Sequence, residues 1–466
     1  MSHPAWPTRT PAPESPQYTR GPQPADCAVI TPSPASNAPT RRGAVLRLDR
    51  LSTWALICLA ATLGLGDIAQ VSPPTTLALA AVRALLPIVI LLAFGSALRT
   101  RAWSRLPSSI ALPMAVWFAL LVVSALSAST YQREAIAALE RPAGGALLVW
   151  AVCMTCTTRR RWRQVLLALA LGGLGIALIA VAEAARVPNV AGWLDAVHDG
   201  SIPIGDIPRV AATLSHPNEA AMLLELALPL LIACAWTAES RWRVPLALGS
   251  LAILLAIGLT FSRAGMISAL AALGLLTCAC MARGAREYLI VLGVAALALP
   301  LTVGWATFMD PGLDRRLLAG IDESSIEQPP RTQFWSVALD MLQDRPLLGV
   351  GPDNFRWLFT TYTGVQADNL GIHAHDQYLE TLADTGVLGF VGFVWLLVAV
   401  TRAAIQGASA DVDWPWRAAL LASLTAWLVH AVLDDFERFW PTSIAFWLIV
   451  GLIACRPQSA TVATID

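Results

Sequence analysis

Apolar runs of roughly 20 residues recur from Leu51 to Cys455, and they constrain this chain more than any other feature. A helix needs about 20 such residues to cross the hydrocarbon core of a bilayer, and in lipid only helices and closed barrels satisfy every backbone N–H and C=O internally. Twelve runs can be drawn, at 51–71, 76–98, 108–128, 140–157, 164–185, 215–237, 244–261, 264–282, 287–308, 377–401, 416–433 and 439–455. The expected fold class is therefore an all-α polytopic membrane protein of 12 transmembrane helices, with one large loop containing short helices. Charge agrees: 14% of residues are charged, against roughly 25% in a soluble domain.

The chain contains no Lys, so its 32 basic residues are all Arg, and their placement sets an expected orientation. Arg41, Arg42, Arg47 and Arg50 precede the first run, Arg99, Arg101 and Arg105 follow the second, and Arg159, Arg160, Arg161 and Arg163 follow the fourth. Arg241 and Arg243, Arg283 and Arg286, and Arg402 continue the series at every second connection, which the positive-inside rule assigns to the cytoplasm. Both termini are then cytoplasmic. The expected divisions are a disordered Pro-rich cytoplasmic tail (1–48), nine spans (49–308), a large outer loop (309–376), three spans (377–456) and a short cytoplasmic tail (457–466). Ten of the 31 prolines fall in the first 40 residues, which is why the first segment reads as unable to build a core.

Several chemistries are disfavoured. A phosphate loop of the GxxxxGK type requires Lys, so nucleotide hydrolysis is not expected. Cys153 and Cys156 form a CxxC, but no second pair or nearby His completes a tetrahedral zinc site, and the eight Cys read as small apolar filler. No metal site and no cofactor is expected, and nothing points to nucleic acid.

What stands out is charge on the outer side, where topology does not call for it. Two of the six His, His373 and His375, close the long outer loop just before a span. An imidazole there is a candidate general base, provided it reaches the proton it removes. Arg209 lies just before the sixth run, Arg263 in the tight turn Thr260–Gly265, Arg331 at the start of an amphipathic stretch (Phe334 to Leu342) expected to lie on the membrane surface, and Arg83 about two turns into the second run. Guanidiniums are planar forks suited to phosphate oxygens, so several on one face suggest a pocket for an anionic lipid headgroup. Taken singly, each has a plainer reading: Arg83 snorkelling to the interface, Arg263 touching lipid phosphate, and Arg209 and Arg331 as loop charges. His216, His198 and His430 read as helix-end or packing residues. The acidic turn Asp434, Asp435, Glu437 reads first as solvated, and second as a support for a base.

Together these segments resemble a family. Arg345-Pro-Leu-Leu-Gly-Val-Gly-Pro-Asp-Asn-Phe355, His373-Ala-His-Asp-Gln-Tyr-Leu379 and Ala383-Asp-Thr-Gly-Val-Leu-Gly389 look like the signature of the O-antigen ligase and polymerase superfamily. Thr260–Gly265 and Arg209–Asn218 resemble its two upstream motifs. The resemblance implies a metal-independent, inverting glycosyltransferase of the bacterial inner membrane, working on the periplasmic face. Its donor would be an undecaprenyl-diphosphate-linked glycan, and its acceptor lipid A-core or a growing glycan. By position, His375 would activate the acceptor hydroxyl while Arg209 and Arg263 hold the diphosphate. Arg331, His373, Asn218, Asp376 and Arg83 are expected to bind substrate. Asp376 departs from the Asn common after the second His, which leaves the hydrogen bonding of His375 open.

Ligase and polymerase share donor, leaving group and topology. The ligase is favoured slightly, because the long loop runs directly into the His pair. A polysaccharide or lipid transporter is the alternative from another class. It fits the number of runs, but the unusual polar residues cluster on one face rather than at broken helices near the midplane.

Overall fold

The computed structural model describes residues 39–65, 76–101, 103, 105–195, 203–204, 207–285, 293, 331–364, 372–410 and 413–457. The chain divides into two units, Met1–Gly43 and Ala44–Asp466. Among the described residues there are fifteen α-helices: α1 (Pro39–Thr62), α2 (Thr76–Thr100), α3 (Ser108–Ser127), α4 (Gln132–Ala138), α5 (Glu140–Thr155), α6 (Arg159–Ala184), α7 (Pro188–Asp195), α8 (Pro217–Thr237), α9 (Ser240–Leu259), α10 (Arg263–Ala282), α11 (Arg331–Asp344), α12 (Phe355–Thr363), α13 (Gln377–Ser409), α14 (Trp414–His430) and α15 (Trp440–Ala454). A two-residue strand pair joins Pro203–Ile204 to Ile207–Pro208.

Eight described helical stretches are long and apolar enough to cross a membrane, and two shorter apolar helices, Ala84–Thr100 and Trp440–Ala454, lie where two more runs were read. The run at 416–433 is α14, and the run at 287–308, apart from residue 293, lies outside the described residues, as do 309–330 of the large loop and the tail before residue 39. The weak run at 140–157 gains length from its neighbour, since α4 and α5 follow one another to form a single stretch from Gln132 to Thr155. At the centre is α8, packed against α6, α9, α10 and α14. It is apolar around almost its whole circumference because nearly all of it is buried in protein.

The longest helix, α13, explains two of the motifs. Gly386 interrupts it with φ 65° and ψ −173°, a conformation that costs a side-chain-bearing residue heavily, and the helical hydrogen bonds fail there. Backbone freed at membrane depth needs partners, and the segment Arg345–Gly351 supplies them. Val387 N–H donates to Pro346 O (2.9 Å) and Leu388 N–H to Leu347 O (3.2 Å). In the other direction, Val350 N–H donates to Ala383 O (3.1 Å) and Gly351 N–H to Asp384 O (2.8 Å). The approach is so close that a Cβ on Gly349 would lie 2.3 Å from Asp384 backbone, and one on Gly386 2.4 Å from Leu347 backbone. Asp384 locks the join, its carboxylate accepting Asp353 N–H (2.7 Å) and Phe355 N–H (3.0 Å).

The amphipathic stretch expected on the membrane surface is helical, as α11, but its apolar face goes elsewhere. Phe334, Val337, Ala338 and Met341 pack with Phe355, Leu358 and Phe359 of α12 in a small core of their own. That core also holds Ile372 and Ala374, so it braces the segment carrying the two histidines.

Candidate active site

Three helix starts supply the site. The turn between α9 and α10 is tight: Phe261 takes φ 51°, and the Ser262 side chain accepts the Gly265 N–H to cap α10, which opens at Arg263. Ahead of α8, Val210 N–H donates to Leu259 O (3.3 Å), and His216 caps the helix with its ring Nδ1 accepting Asn218 N–H (3.1 Å). Asp376 caps α13, accepting from Tyr378 and Leu379 N–H, both at 2.9 Å. Helix N-termini carry partial positive charge, so three of them around one site favour an anion.

A chain of hydrogen bonds joins these elements. Arg209 donates from Nε to Thr260 O (2.8 Å) and from a terminal nitrogen to Asn218 Oδ1 (2.8 Å). Asn218 donates from Nδ2 to Asp434 Oδ2 (2.6 Å), and Asp434 Oδ1 lies 3.3 Å from His375 Nδ1. Residues far apart in sequence thus end on one imidazole. His375 itself takes φ 50°, and its N–H donates to His373 Nδ1 (3.2 Å), placing the two ring centroids 3.9 Å apart.

The electrostatics sort the roles. Burial pushes the Asp434 carboxyl up, but the hydrogen bond from His375 and the surrounding imidazoles outweigh it and hold Asp434 well below the usual carboxylate range. An ionised Asp434 facing Nδ1 favours the tautomer with the proton on Nδ1, which leaves the Nε2 lone pair available as a base. His373 is the opposite case. Burial, with His375 next, drives it well below the ordinary histidine range, and its Nδ1 is already an acceptor, so it stays neutral. His216 is lowered to about 4, chiefly by burial. Arg209 is lowered only to about 10, again chiefly by burial, with Arg263 and Arg331 adding like charge, so it remains a cation at neutral pH. Those two guanidiniums are therefore within electrostatic reach of Arg209. Among the described residues two of the five Arg209 N–H groups are used internally, which leaves three for a ligand.

The structure thus brings together His373, His375, Arg209, Arg263, Arg331 and Asn218. Asp376 sits beside them as a helix cap; the carboxylate on His375 belongs to Asp434 instead. Residue 83 lies in α2, and its side chain is outside the described ones. For Asp434 the second of the two readings of the acidic turn, a support for a base, matches its place beside His375, while the first does not. Its turn is not solvated: Asp434, Asp435 and Arg438 are buried, Phe436 is wholly so, and Gln377 Oε1 accepts the Phe436 and Glu437 N–H groups (3.1 Å each). The available signal was Phe436 and Phe439 set among those charges, which is unusual for a surface turn.

Residues 248–394 match a family described as O-antigen ligase. The match covers about a third of the chain, and over that stretch the protein is similar to O-antigen ligases. The match runs from α9 into α13 and includes Arg263, Arg331, His373 and His375, whereas Arg209, Asn218 and Asp434 lie outside it. No curated protein matches the chain. The family implies ligase- or polymerase-type glycosyl transfer from a lipid-linked glycan at a bilayer.

Donor atoms of His373, His375 and Asp434 lie within 4.8 Å of one another, a spacing that an ion can bridge. The set is a poor fit for one. Both Asp434 oxygens and His373 Nδ1 are engaged inside the network, and Arg209, Arg263 and Arg331 place positive charge around them. That field suits an anion rather than a dication.

Proposed function

We propose that this protein transfers a glycan from an undecaprenyl-diphosphate carrier to a hydroxyl of lipid A-core or a related acceptor, on the periplasmic face of the inner membrane. The observation that carries the reading is the link from Arg209 through Asn218 and Asp434 to His375, which couples an arginine cluster to an oriented imidazole.

In the proposed step His375 Nε2 takes the acceptor hydroxyl proton as the oxygen attacks the anomeric carbon. The bond from that carbon to the diphosphate oxygen breaks, its electron pair leaves with the diphosphate, and a single displacement inverts the anomeric centre. Arg209, Arg263 and Arg331 stabilise charge developing on the leaving group. Charge preorganised in this way is often the largest catalytic contribution, and it does here what a divalent cation does for other diphosphates. Asp434 stabilises the imidazolium as it forms, and the proton afterwards passes to water, since the His375 side chain is partly exposed.

The test is transfer in detergent by purified protein, given the lipid-linked glycan and lipid A-core with EDTA present. Glycosylated lipid A-core is the expected product. Longer lipid-linked glycans in its place would make the protein a polymerase, and turnover abolished by EDTA would refute the metal-free mechanism.

A further inference from the structure

At the end of the bundle opposite His375 lies a cavity of about 680 Å³ that the transfer reaction does not use. Its rim carries Arg159 at the start of α6, Arg402 late in α13, Arg417 in α14 and Arg456 just after α15, against Asp413 as the one acidic residue among the described lining residues. Asp413 is already occupied, paired with Arg159 (3.3 Å) and with Arg163. Arg417 is committed as well, donating to Ile453 O (3.4 Å) and Cys455 O (3.0 Å), with its guanidinium 4.6 Å from the centre of the Trp162 ring. Among the described residues no hydrogen bond or ion pair engages Arg402 or Arg456.

A second observation concerns the wall. Val391, Trp395 and Val398 are exposed along α13 at spacings of four and three residues, so they form one outward stripe, and Arg402 follows four residues later on the same face. Trp395 and Val398 also line the cavity. An apolar track that leads into a chamber with two guanidiniums uncommitted among the described residues has the chemistry to hold an acyl chain joined to a phosphate.

We propose that this cavity binds the headgroup of one anionic glycerophospholipid, its phosphate on Arg402 and Arg456 and an acyl chain along Val391–Val398. A zwitterionic lipid fits less well, because Asp413 is consumed by arginines and, among the described lining residues, no other acidic one remains to receive a choline or amine. The site is independent of the transfer reading.

The experiment is thermal melting of the purified full-length protein in detergent, titrated separately with short-chain phosphatidylglycerol, short-chain phosphatidylcholine and inorganic phosphate. Saturable stabilisation by phosphatidylglycerol alone is expected. The double variant Arg402→Gln/Arg456→Gln should bind it on the order of tenfold more weakly or worse, from the attraction of a basic side chain to anionic lipid, while Arg402→Lys/Arg456→Lys retains most of the affinity. Melting without lipid reports whether each variant is folded. Equal stabilisation by phosphatidylcholine, or by inorganic phosphate, would overturn the proposal, as would undiminished affinity in the Gln pair.

Discussion

Replacing Asp434 by Asn changes one atom yet should remove most of the turnover. In the wild type, Asp434 Oδ2 accepts from Asn218 Nδ2 (2.6 Å), while Oδ1 accepts from Asp435 N–H (3.0 Å) and faces His375 Nδ1 (3.3 Å). An amide offers one acceptor where the site needs two. With its oxygen toward Asn218, the new NH2 meets the Asp435 N–H and presents a donor to His375 Nδ1, which drives the imidazole proton to Nε2 and abolishes the base. With its oxygen toward His375, the NH2 opposes the Asn218 NH2, and Asn218 cannot flip because its Oδ1 is held by Arg209 (2.8 Å). A mispaired buried donor costs about 1–3 kcal/mol in stability. Loss of general-base function costs about 10²–10⁴-fold in rate. The expected result is therefore kcat reduced by about 10²–10⁴ with KM for the lipid-linked donor nearly unchanged, because Arg209 keeps its anchor on Thr260 O. The assay is steady-state transfer in detergent, with melting as a control for folding. Because Asp434 acts through His375, the double variant with His375→Ala should be no worse than His375→Ala alone. A folded Asp434→Asn protein with kcat within about threefold of wild type would refute the assignment.

Arg209→Lys should lose about 10–100-fold in transfer, since one ammonium cannot hold Thr260 O and Asn218 Oδ1 in the geometry of a planar fork; kinetics alongside Arg209→Ala checks it. His216 tests the pH dependence of stability. Its folded value is about 4 against 6.5 for an ordinary histidine, so between those values the unfolded chain binds the extra proton and stability falls as pH drops, by up to about 3 kcal/mol; melting of His216→Asn from pH 7 to pH 4 should lack that part of the decline. Glu437 runs the other way: burial raises it to about 7, and the cost of ionising it is fully present above that pH, so Glu437→Gln should gain stability relative to wild type at pH 8 and little at pH 4.5. Gly349→Ala should fail to fold or melt far lower, by about 3 kcal/mol or more, because its Cβ meets Asp384 backbone at 2.3 Å and φ is +69°; expression and melting in detergent decide it.

Hydropathy made the helices legible, because in lipid the same apolar runs that drive insertion also satisfy the backbone. It could not show the break in α13. Gly386 barely changes the apolar character of the run, and the partners of the freed backbone lie on Arg345–Gly351, some 35–40 residues earlier. The motifs at Arg345–Phe355 and Ala383–Gly389 thus prove to be the two halves of one structural join, which explains their glycines without any catalytic role. Charge against the topological pattern pointed to Arg209, Arg263 and Arg331, since an outward Arg needs a reason other than orientation. Asp434 was not legible in the same way. A carboxylate 59 residues from the imidazole it serves leaves no periodic trace, and acidic turns are ordinarily solvated. Asp376, adjacent in sequence, drew attention that the fold gives to helix capping.

The central claim is that His375, oriented by Asp434, removes the acceptor proton while the arginines hold the diphosphate. Its most direct test is a single-turnover experiment in EDTA, with donor pre-bound to wild-type and His375→Ala protein, measuring both donor affinity and the release of undecaprenyl diphosphate after acceptor is added. The account predicts equal donor affinity and release slowed by at least about 10²-fold in the variant. Release at the wild-type rate from His375→Ala would contradict it.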